Sequence, residues 1–213
     1  MKKVIILDFD GVFYSSENKF KLVPDYVERN RRKFLPNVSD EEYTRICNEN
    51  PKFVEAVAGC DIAKEIINIK NSNPNLQIST NDFWQVQEDE VYDLYFEGAK
   101  FVIAEEIKKI CETYSVYIVS NSSPHHIHHY MNQFEVNPKW FKGIFSNHFE
   151  EFDLSKKHYY EEILKKENIS SNEAVVFGDS DKSDLQPARE IGIKAVLTND
   201  ADKLHCLILK EIM

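Results

Sequence analysis

The sequence predicts an α/β protein, a Rossmann-like, doubly wound parallel sheet with an inserted α-helical domain. Two observations predict this fold class. Short apolar runs rich in β-branched residues alternate with segments of helical periodicity, which is the pattern of consecutive βαβ units. The stretch 18–97 breaks that pattern, because it has several helix signals and almost no β-branched alternation. We therefore expect a core formed by 1–17 and 98–213, with 18–97 as a helical insertion.

The predicted strands of the core are continuous apolar runs. Such runs are typical of strands that are buried on both faces of a parallel sheet. They cover 4–9, 116–119, 174–177 and 194–197. Because parallel strands need crossover connections, the intervening segments should be helices that pack on the sheet.

Helical periodicity is present between these strands and at the C-terminal end. The predicted core helices cover 101–111, 159–166 and 185–191, and the spacing of Leu204, Leu207, Ile208 and Ile212 predicts one more that packs on the sheet. Within the insertion, Ser39 and Glu42 have the spacing of a capping box, which marks a helix start. Prolines then divide the insertion into short helices, since each disfavours continuation of a preceding helix; they are Pro36, Pro51 and Pro74.

Length and composition fit a folded protein of this kind. The 213 residues correspond to about 1.4 typical domains, and the 42% hydrophobic content is too high for a disordered chain. The longest apolar runs are far shorter than the ~20 residues needed to cross a bilayer, so we expect no membrane partner. The start of the chain has no signal-peptide pattern, which favours a cytoplasmic protein.

Charge and cysteine content exclude further classes. The formal net charge is -10, which would repel a nucleic-acid backbone, whereas a small phosphorylated ligand with its own metal ion remains compatible. The four cysteines have no metal-binding or redox spacing, so we expect free thiols. Nothing in the sequence separates a monomer from a homodimer.

Polar clusters follow three of the predicted strands. They are Asp8, Asp10 and Gly11 after the apolar residues 4–7 of the first strand, Ser120 and Asn121 after the second strand, and Asp179 and Asp184 after the third. In doubly wound sheets, ligands bind beyond the carboxyl ends of the strands. We therefore expect the three clusters to converge at one edge of the sheet.

These residue types suit phosphoryl transfer. Carboxylate oxygens favour Mg²⁺, and a cation between Asp8 and Asp179 would leave one Asp8 oxygen free to attack phosphorus. Carboxylate attack on phosphorus gives an aspartyl-phosphate. Asp10 would protonate the leaving oxygen and then deprotonate the attacking water. Ser120 and Asn121 would hold phosphoryl oxygens, and a lysine would balance the remaining charge.

The clusters resemble the motif series of the haloacid dehalogenase (HAD) superfamily in order and spacing. The matching residues are Asp8-Phe9-Asp10-Gly11-Val12, Ser120-Asn121, and Gly178-Asp179-Ser180 with Asp184. The resemblance implies a Mg²⁺-dependent phosphatase that acts on a small organic phosphomonoester. It also implies that 18–97 is the family's first type of cap, a helical bundle between the first and second motifs.

The resemblance implies a role for each motif residue. Asp8 would be the nucleophile, Asp10 the general acid and base, and Ser120 the hydroxyl that holds phosphate. The family's lysine stands in a Ser-Lys pair before the third cluster, which indicates Lys156, with Lys157 as the alternative. Phosphate would contact Gly11, Ser120, Asn121 and Lys156, and Mg²⁺ would contact the Asp8 carboxylate, the Asp10 backbone carbonyl, Asp179 and, directly or through water, Asp184.

Other functions remain open on the sequence. Val12 replaces the threonine of many family members, which leaves the nucleophile unaffected. A phosphomutase would use the same motifs. A dehalogenase would also use Asp8 but would need no acid at Asp10 and little metal, and a phospho-accepting switch would need no cap.

A histidine-rich segment stands apart from these motifs. Four of the seven histidines fall within 125–129. On a helix, His125, His128 and His129 would share one face, where they could bind a transition metal. No cysteine or carboxylate completes such a site nearby, so a solvated face is the better interpretation. A smaller possibility is that His125 contacts the substrate.

Overall fold

The computed structural model describes residues 4–15, 98–122, 124–146 and 155–212, together with Ser39, Glu41, Arg45 and Phe96. The chain divides into two units, one made of Met1–Ser16 and Ala99–Met213 and the other of Glu17–Gly98. Almost all described residues belong to the first unit. The helical cap predicted for 18–97 lies outside the described residues apart from those four, so it stays a prediction.

The central sheet of the first unit has five parallel strands in the order β5-β4-β1-β6-β7, and a separate antiparallel ribbon pairs β2 with β3. In chain order the strands are β1 Val4–Leu7, β2 Tyr14–Ser15, β3 Lys100–Phe101, β4 Ser115–Ser120, β5 Gly143–Ser146, β6 Ala174–Gly178 and β7 Lys194–Leu197. The predicted α/β fold class with a Rossmann-like parallel sheet is confirmed.

Five α-helices are described in this unit. They are α1 Ala104–Thr113, α2 Pro124–Gln133, α3 Lys156–Glu167, α4 Gln186–Glu190 and α5 Leu204–Ile212. Short 3₁₀ turns precede β5, β6 and α5, and one π-helical turn, Asp181–Leu185, lies between β6 and α4. Each predicted core helix is present within a few residues of its predicted ends. No helix in the described ranges is long and apolar enough to span a membrane.

Two differences from the sequence-based predictions concern the sheet. The first strand ends at Leu7 rather than at 9, because the chain turns at Gly11, which has a φ of 77°. The structure adds β5, which was not predicted. Only two of its four residues, Ile144 and Phe145, are large and apolar, so the strand lacks the continuous apolar run by which the others are recognised.

The two faces of the sheet pack against different partners. One face buries alternate strand residues against α3, with Tyr159, Tyr160 and Ile163 contributing from that helix. Near the carboxyl end of β1, an aromatic group fills the space between the turn after β1 and α2; its members are Phe9, Phe13, Tyr14 and Tyr130. This packing gives the chain that follows β1 a rigid support.

Pairing across the sheet brings the carboxyl ends of its strands together. Leu7, the last residue of β1, is paired with Ile118 of β4 and with Phe177 of β6. The polar residues that follow these strands therefore begin at one level of the sheet. This alignment places the three sequence clusters at a common edge.

Candidate active site

The turn after β1 places the first aspartate of the site. Asp8 continues the sheet by donating its backbone N–H to the Phe177 carbonyl at 2.9 Å. Gly11 then turns the chain with a positive φ, a conformation that favours glycine. A Cβ atom at Gly11 would lie 2.1 Å from Asp179 Oδ2. Only glycine therefore lets the carboxylate of Asp179 approach this turn.

Lys156 joins two buried carboxylates. Its Nζ lies 2.7 Å from Asp8 Oδ1 and 2.6 Å from Asp184 Oδ1. All three residues are buried. Lys156 is the first residue of α3, whose start is fixed by the Ser155 hydroxyl, which accepts the Lys157 N–H at 3.2 Å. The structure thus places Lys156 beside the candidate nucleophile.

The alternative lysine, Lys157, points away from the acidic residues that Lys156 contacts. Lys157 Nζ contacts Glu190 at 3.3 Å, and both side chains are exposed. Adjacent helix positions point about 100° apart, so only one of the two lysines can reach Asp8. Lys157 is therefore a natural comparison residue for Lys156.

Three carboxylates form a cluster that suits a hard divalent cation. One oxygen from each of Asp8, Asp179 and Asp184 lies within 4.8 Å of the others. Asp8 and Asp184 are buried, whereas Asp179 is exposed. Oxygen ligands from a few carboxylates, completed by water and phosphate, are what Mg²⁺ prefers. The donor set fits this ion, because all three side chains offer carboxylate oxygens.

The π-helical turn after β6 explains how Asp184 reaches this cluster. Leu185 donates its N–H to the Ser180 carbonyl at 3.2 Å, the five-residue spacing of a π-helix. Asp184 Oδ2 accepts the Ser180 N–H at 2.9 Å, which fixes its carboxylate. A Cβ atom at Gly178 would lie 2.5 Å from Asp184 Cβ, so glycine is needed there. The π-helical turn therefore brings Asp184 to the cluster although four residues separate it from Asp179.

Burial perturbs the ionisation of both central groups. Desolvation raises the pKa of Asp8 to about 7, and the neighbouring charges of Asp184 and Asp179 add to the rise, while Lys156 opposes it. For Lys156, burial alone would lower the pKa, but the carboxylates of Asp8 and Asp184 raise it above its ordinary value. A cation near Asp8 would favour its ionised form for the same electrostatic reason.

The second cluster lies at the end of β4. Ser120 is buried, and its Oγ accepts the backbone N–H of Ser122 at 3.0 Å. Asn121 follows and is partly buried. Since β4 pairs directly with β1, both residues lie beside the turn that holds Asp8 and Asp10.

Asp10 has a different environment from Asp8. Its Oδ1 accepts the hydroxyl of Tyr14 at 2.5 Å and lies 3.0 Å from Nε2 of His126, and its Oδ2 accepts the hydroxyl of Ser122. Asp10 and these three side chains are all buried. The sequence predicted none of the three as a partner of Asp10.

His126 belongs to the histidine-rich segment but not to the predicted solvated face of His125, His128 and His129. This segment lies in α2, where His126 is buried among the aromatic residues near Asp10, whereas His128 is exposed and contacts the Pro124 carbonyl at 2.6 Å. The sequence contained a signal for this burial. His126 shares the spacing of Ile127 and Tyr130, so it belongs to the apolar stripe of the helix. Among the side chains that the structure describes, the acidic cluster is the only group of three ligand residues close enough together to hold a metal ion.

A five-stranded parallel sheet with helices packed on it, carboxylates after its central strands and a lysine at the start of a helix is typical of a Rossmann-like enzyme. The sequence model of the haloacid dehalogenase-like hydrolases matches residues 2–192. The chain therefore belongs to this family of hydrolases and is an enzyme. No curated protein matches the chain.

Solved structures share this fold at low sequence identity. A HAD phosphatase from Thermococcus onnurineus is 16% identical with a TM-score of 0.56, and the match covers 92% of this chain and 86% of that one. A HAD family enzyme from Bacteroides thetaiotaomicron in complex with magnesium is 15% identical with a TM-score of 0.56, covering 97% and 98%. A 2-haloacid dehalogenase from Pseudomonas syringae is 14% identical with a TM-score of 0.55, covering 99% and 100%. The neighbours thus include phosphatases and dehalogenases.

Proposed function

We propose that the protein is a Mg²⁺-dependent phosphatase that hydrolyses a small organic phosphomonoester through an aspartyl-phosphate on Asp8. The observation that carries this proposal is the acidic cluster of Asp8, Asp179 and Asp184 with Lys156 on its buried side. A buried carboxylate beside a cation site combines a nucleophile with the means to neutralise phosphate charge. The same Bacteroides thetaiotaomicron enzyme is also known in complex with magnesium and inorganic phosphate, which supports the comparison.

The cation would be held by the Asp8 carboxylate, the Asp10 backbone carbonyl and Asp179, with Asp184 contacting it directly or through water. When bound, Mg²⁺ neutralises phosphoryl charge and favours the ionised form of Asp8. Lys156 would stabilise the Asp8 carboxylate and the phosphoryl oxygen atoms from the protein interior, because its ammonium group already contacts Asp8. Gly11, Ser120 and Asn121 would supply hydrogen-bond donors to the remaining phosphoryl oxygens.

The reaction would have two displacements. First, an Asp8 oxygen bonds to phosphorus, the ester bond breaks with its electron pair on the leaving oxygen, and Asp10 donates a proton to that oxygen. Second, Asp10 takes a proton from water, the water oxygen bonds to phosphorus, and the Asp8–phosphorus link breaks to restore the carboxylate. Each step uses one carboxylate as nucleophile or leaving group and the other as acid or base.

The acidic cluster favours this reaction over the dehalogenase alternative. A dehalogenase displaces a halide from carbon; the halide is a weak base that leaves as an anion without protonation, and there is no phosphoryl charge for a divalent cation to neutralise. The structure instead places Asp179 and Asp184 beside Asp8 and surrounds Asp10 with hydrogen-bonding side chains. A phosphomutase would share this site, and a ratio of phosphate release to isomerisation distinguishes the two. A phospho-accepting switch would retain the phosphoaspartate for minutes.

A phosphate-release assay over a broad panel of small phosphate esters tests the proposal. We expect turnover with Mg²⁺, its loss in excess EDTA, and loss of at least about 10³-fold in Asp8→Asn, which removes the nucleophile but keeps the side-chain shape. Asp181→Asn is the matched control, because Asp181 is exposed and pairs with Arg189 away from the cluster. Full activity of Asp8→Asn, or of the wild type in EDTA, would overturn the proposal.

We also propose a small phosphorylated metabolite as the partner of this enzyme in the cytoplasm, with no role for nucleic acid or membranes. The monomer and the homodimer remain alternatives, which sedimentation distinguishes. The cap predicted for 18–97 would carry the residues that select the substrate. Substitutions in 18–97 should therefore change which esters are hydrolysed while Asp8 remains essential.

A further inference from the structure

The carboxylate of Asp10 is held by side chains from three parts of the fold. Tyr14 comes from β2, Ser122 from the loop after β4, and His126 from α2. Tyr14 and His126 meet at Oδ1 and also contact each other, with the Tyr14 hydroxyl 3.2 Å from His126 Nε2. Ser122 contacts the other oxygen, Oδ2. The two oxygens of Asp10 therefore have different partners.

The two groups at Oδ1 are themselves fixed by packing. The ring of His126 lies edge-on to Phe9 at 5.2 Å, and the ring of Tyr14 stacks on Tyr130 at 6.0 Å. Both side chains are almost fully buried. Buried aromatic rings in close packing occupy defined rotamers. Their polar atoms therefore present a preorganised pair of contacts to Asp10 Oδ1.

We infer that Tyr14 and His126 are positioning residues for proton transfer by Asp10, an inference that rests on the proposed phosphatase function. With the His126 proton on Nε2, both residues donate to Oδ1, which fixes the plane of the carboxylate. The transferable proton then resides on Oδ2. Ser122 is compatible with either state of Oδ2, since a hydroxyl donates to an ionised oxygen and accepts from a protonated one.

This arrangement gives each oxygen of Asp10 a separate task. In the first displacement the Oδ2 proton moves to the leaving oxygen as the ester bond breaks, and in the second Oδ2 takes a proton from water. Oδ1 keeps its two contacts throughout. General acid catalysis requires the acid within hydrogen-bond reach of the leaving oxygen, so a carboxylate free to rotate would lose part of the effect.

The dependence of rate on the leaving group tests this role directly. p-Nitrophenolate leaves from phosphorus without protonation, whereas the departure of the more basic phenolate depends strongly on protonation by an acid. We would measure kcat/KM for phenyl phosphate and p-nitrophenyl phosphate in the wild type, Tyr14→Phe, His126→Phe and His126→Gln. The value of kcat/KM reports the first displacement, in which the leaving group departs.

We expect Tyr14→Phe and His126→Phe each to lose about tenfold more kcat/KM on phenyl phosphate than on p-nitrophenyl phosphate. His126→Gln keeps an amide N–H near the position of Nε2 and should restore the ratio to within about threefold of the wild type. Tyr130→Phe is the matched control, because its hydroxyl donates to the Phe13 carbonyl at 2.8 Å within the same aromatic group. It should leave the ratio unchanged.

The outcomes separate this inference from the proposed function. If the wild type releases phosphate from both esters and the variants lower both values equally, the positioning role is overturned and the phosphatase stands. If the wild type releases no phosphate from these esters or from the wider panel, the proposed function fails and the inference fails with it. Melting curves identify a variant that does not fold. If Tyr14→Phe is such a variant, the comparison of His126→Phe with His126→Gln decides whether the positioning role holds.

Discussion

Asp8 and Asp10 are two residues apart, yet their surroundings differ in kind. Asp8 lies among charges, with Lys156 at 2.7 Å and two further carboxylates within the same cluster. Asp10 lies among hydroxyl and imidazole groups. The same residue type is thus suited to two different roles, because the neighbouring groups determine the charge and the proton affinity of each carboxylate. The first environment suits a cation and a nucleophile, and the second suits a carboxylate that exchanges protons.

We call the surroundings of Asp8 the charged half of the site and those of Asp10 the other half. The charged half should depend most strongly on Lys156. We expect Lys156→Met to lower kcat about 10²–10³-fold and to destabilise the protein by about 3 kcal/mol at pH 8, since it leaves buried carboxylates without their partner. The stability loss should shrink at pH 6, because Asp8 can then take up a proton. Urea unfolding at the two pH values and a steady-state assay measure these effects.

Lys157→Met is the control for that variant. Lys157 is the next residue of α3, and its exposed side chain pairs with Glu190 of α4. Surface pairs of this kind contribute about 0–1 kcal/mol. Equal effects of the two substitutions would contradict the assignment of Lys156 to the site.

Asp8 should destabilise the metal-free protein when it is ionised. Its pKa is about 7 against an ordinary value of 3.8, so between these values the native state binds more protons than the unfolded state. Stability from this group is therefore highest at low pH and falls as the pH rises toward 7. A difference of about three pKa units corresponds to roughly 4 kcal/mol, the upper limit of the effect.

Asp8→Asn tests that sign. In EDTA at pH 8 we expect the variant to be more stable than the wild type by roughly 2–4 kcal/mol, with the difference shrinking as the pH falls and vanishing below about pH 3.8. Thermal unfolding across this pH range measures it, and adding Mg²⁺ at pH 8 should stabilise the wild type selectively. Asp181→Asn should show no such trend. A variant less stable than the wild type at pH 8 would contradict the charged description of this half.

Gly11 connects the two halves, and its substitution should have a smaller effect. We expect Gly11→Ala to cost about 1–3 kcal/mol and to weaken Mg²⁺ binding, because the new Cβ would displace Asp179. Gly98→Ala is the matched control, since Gly98 also has a positive φ but a Cβ there meets nothing within 4 Å. Calorimetric Mg²⁺ titration of both variants checks this. Equal Mg²⁺ affinities in the two would contradict the close approach of Asp179.

The sequence was sufficient to predict the charged half but not the other. Continuous apolar runs located β1, β4, β6 and β7, and the polar residues after them carry the chemistry of the acidic cluster. Short motifs at strand ends are predictable because the strand itself places them. The edge strand β5 was missed because only Ile144 and Phe145 of its four residues are large and apolar.

The environment of Asp10 depends on contacts between distant segments. His126 is 116 residues from Asp10 in the chain, and its burial follows from how α2 packs on the aromatic group. The histidine spacing favoured the opposite face of that helix. The π-helical turn that directs Asp184 to Lys156 was equally hidden, because one extra residue in a turn has no hydrophobic signature. Local patterns therefore predicted the chemistry, and tertiary packing determined its geometry.

The central claim is that Asp8 forms the covalent intermediate while Asp10 transfers protons. Acid quenching during turnover of a phosphate ester with Mg²⁺, followed by peptide mass spectrometry, tests it most directly. We expect one added phosphoryl group on the peptide that begins the chain, located at Asp8, in the wild type and none in Asp8→Asn. A phosphoryl group on Asp10 or on any other residue would contradict this account, as would turnover with no phosphorylated peptide at any quench time.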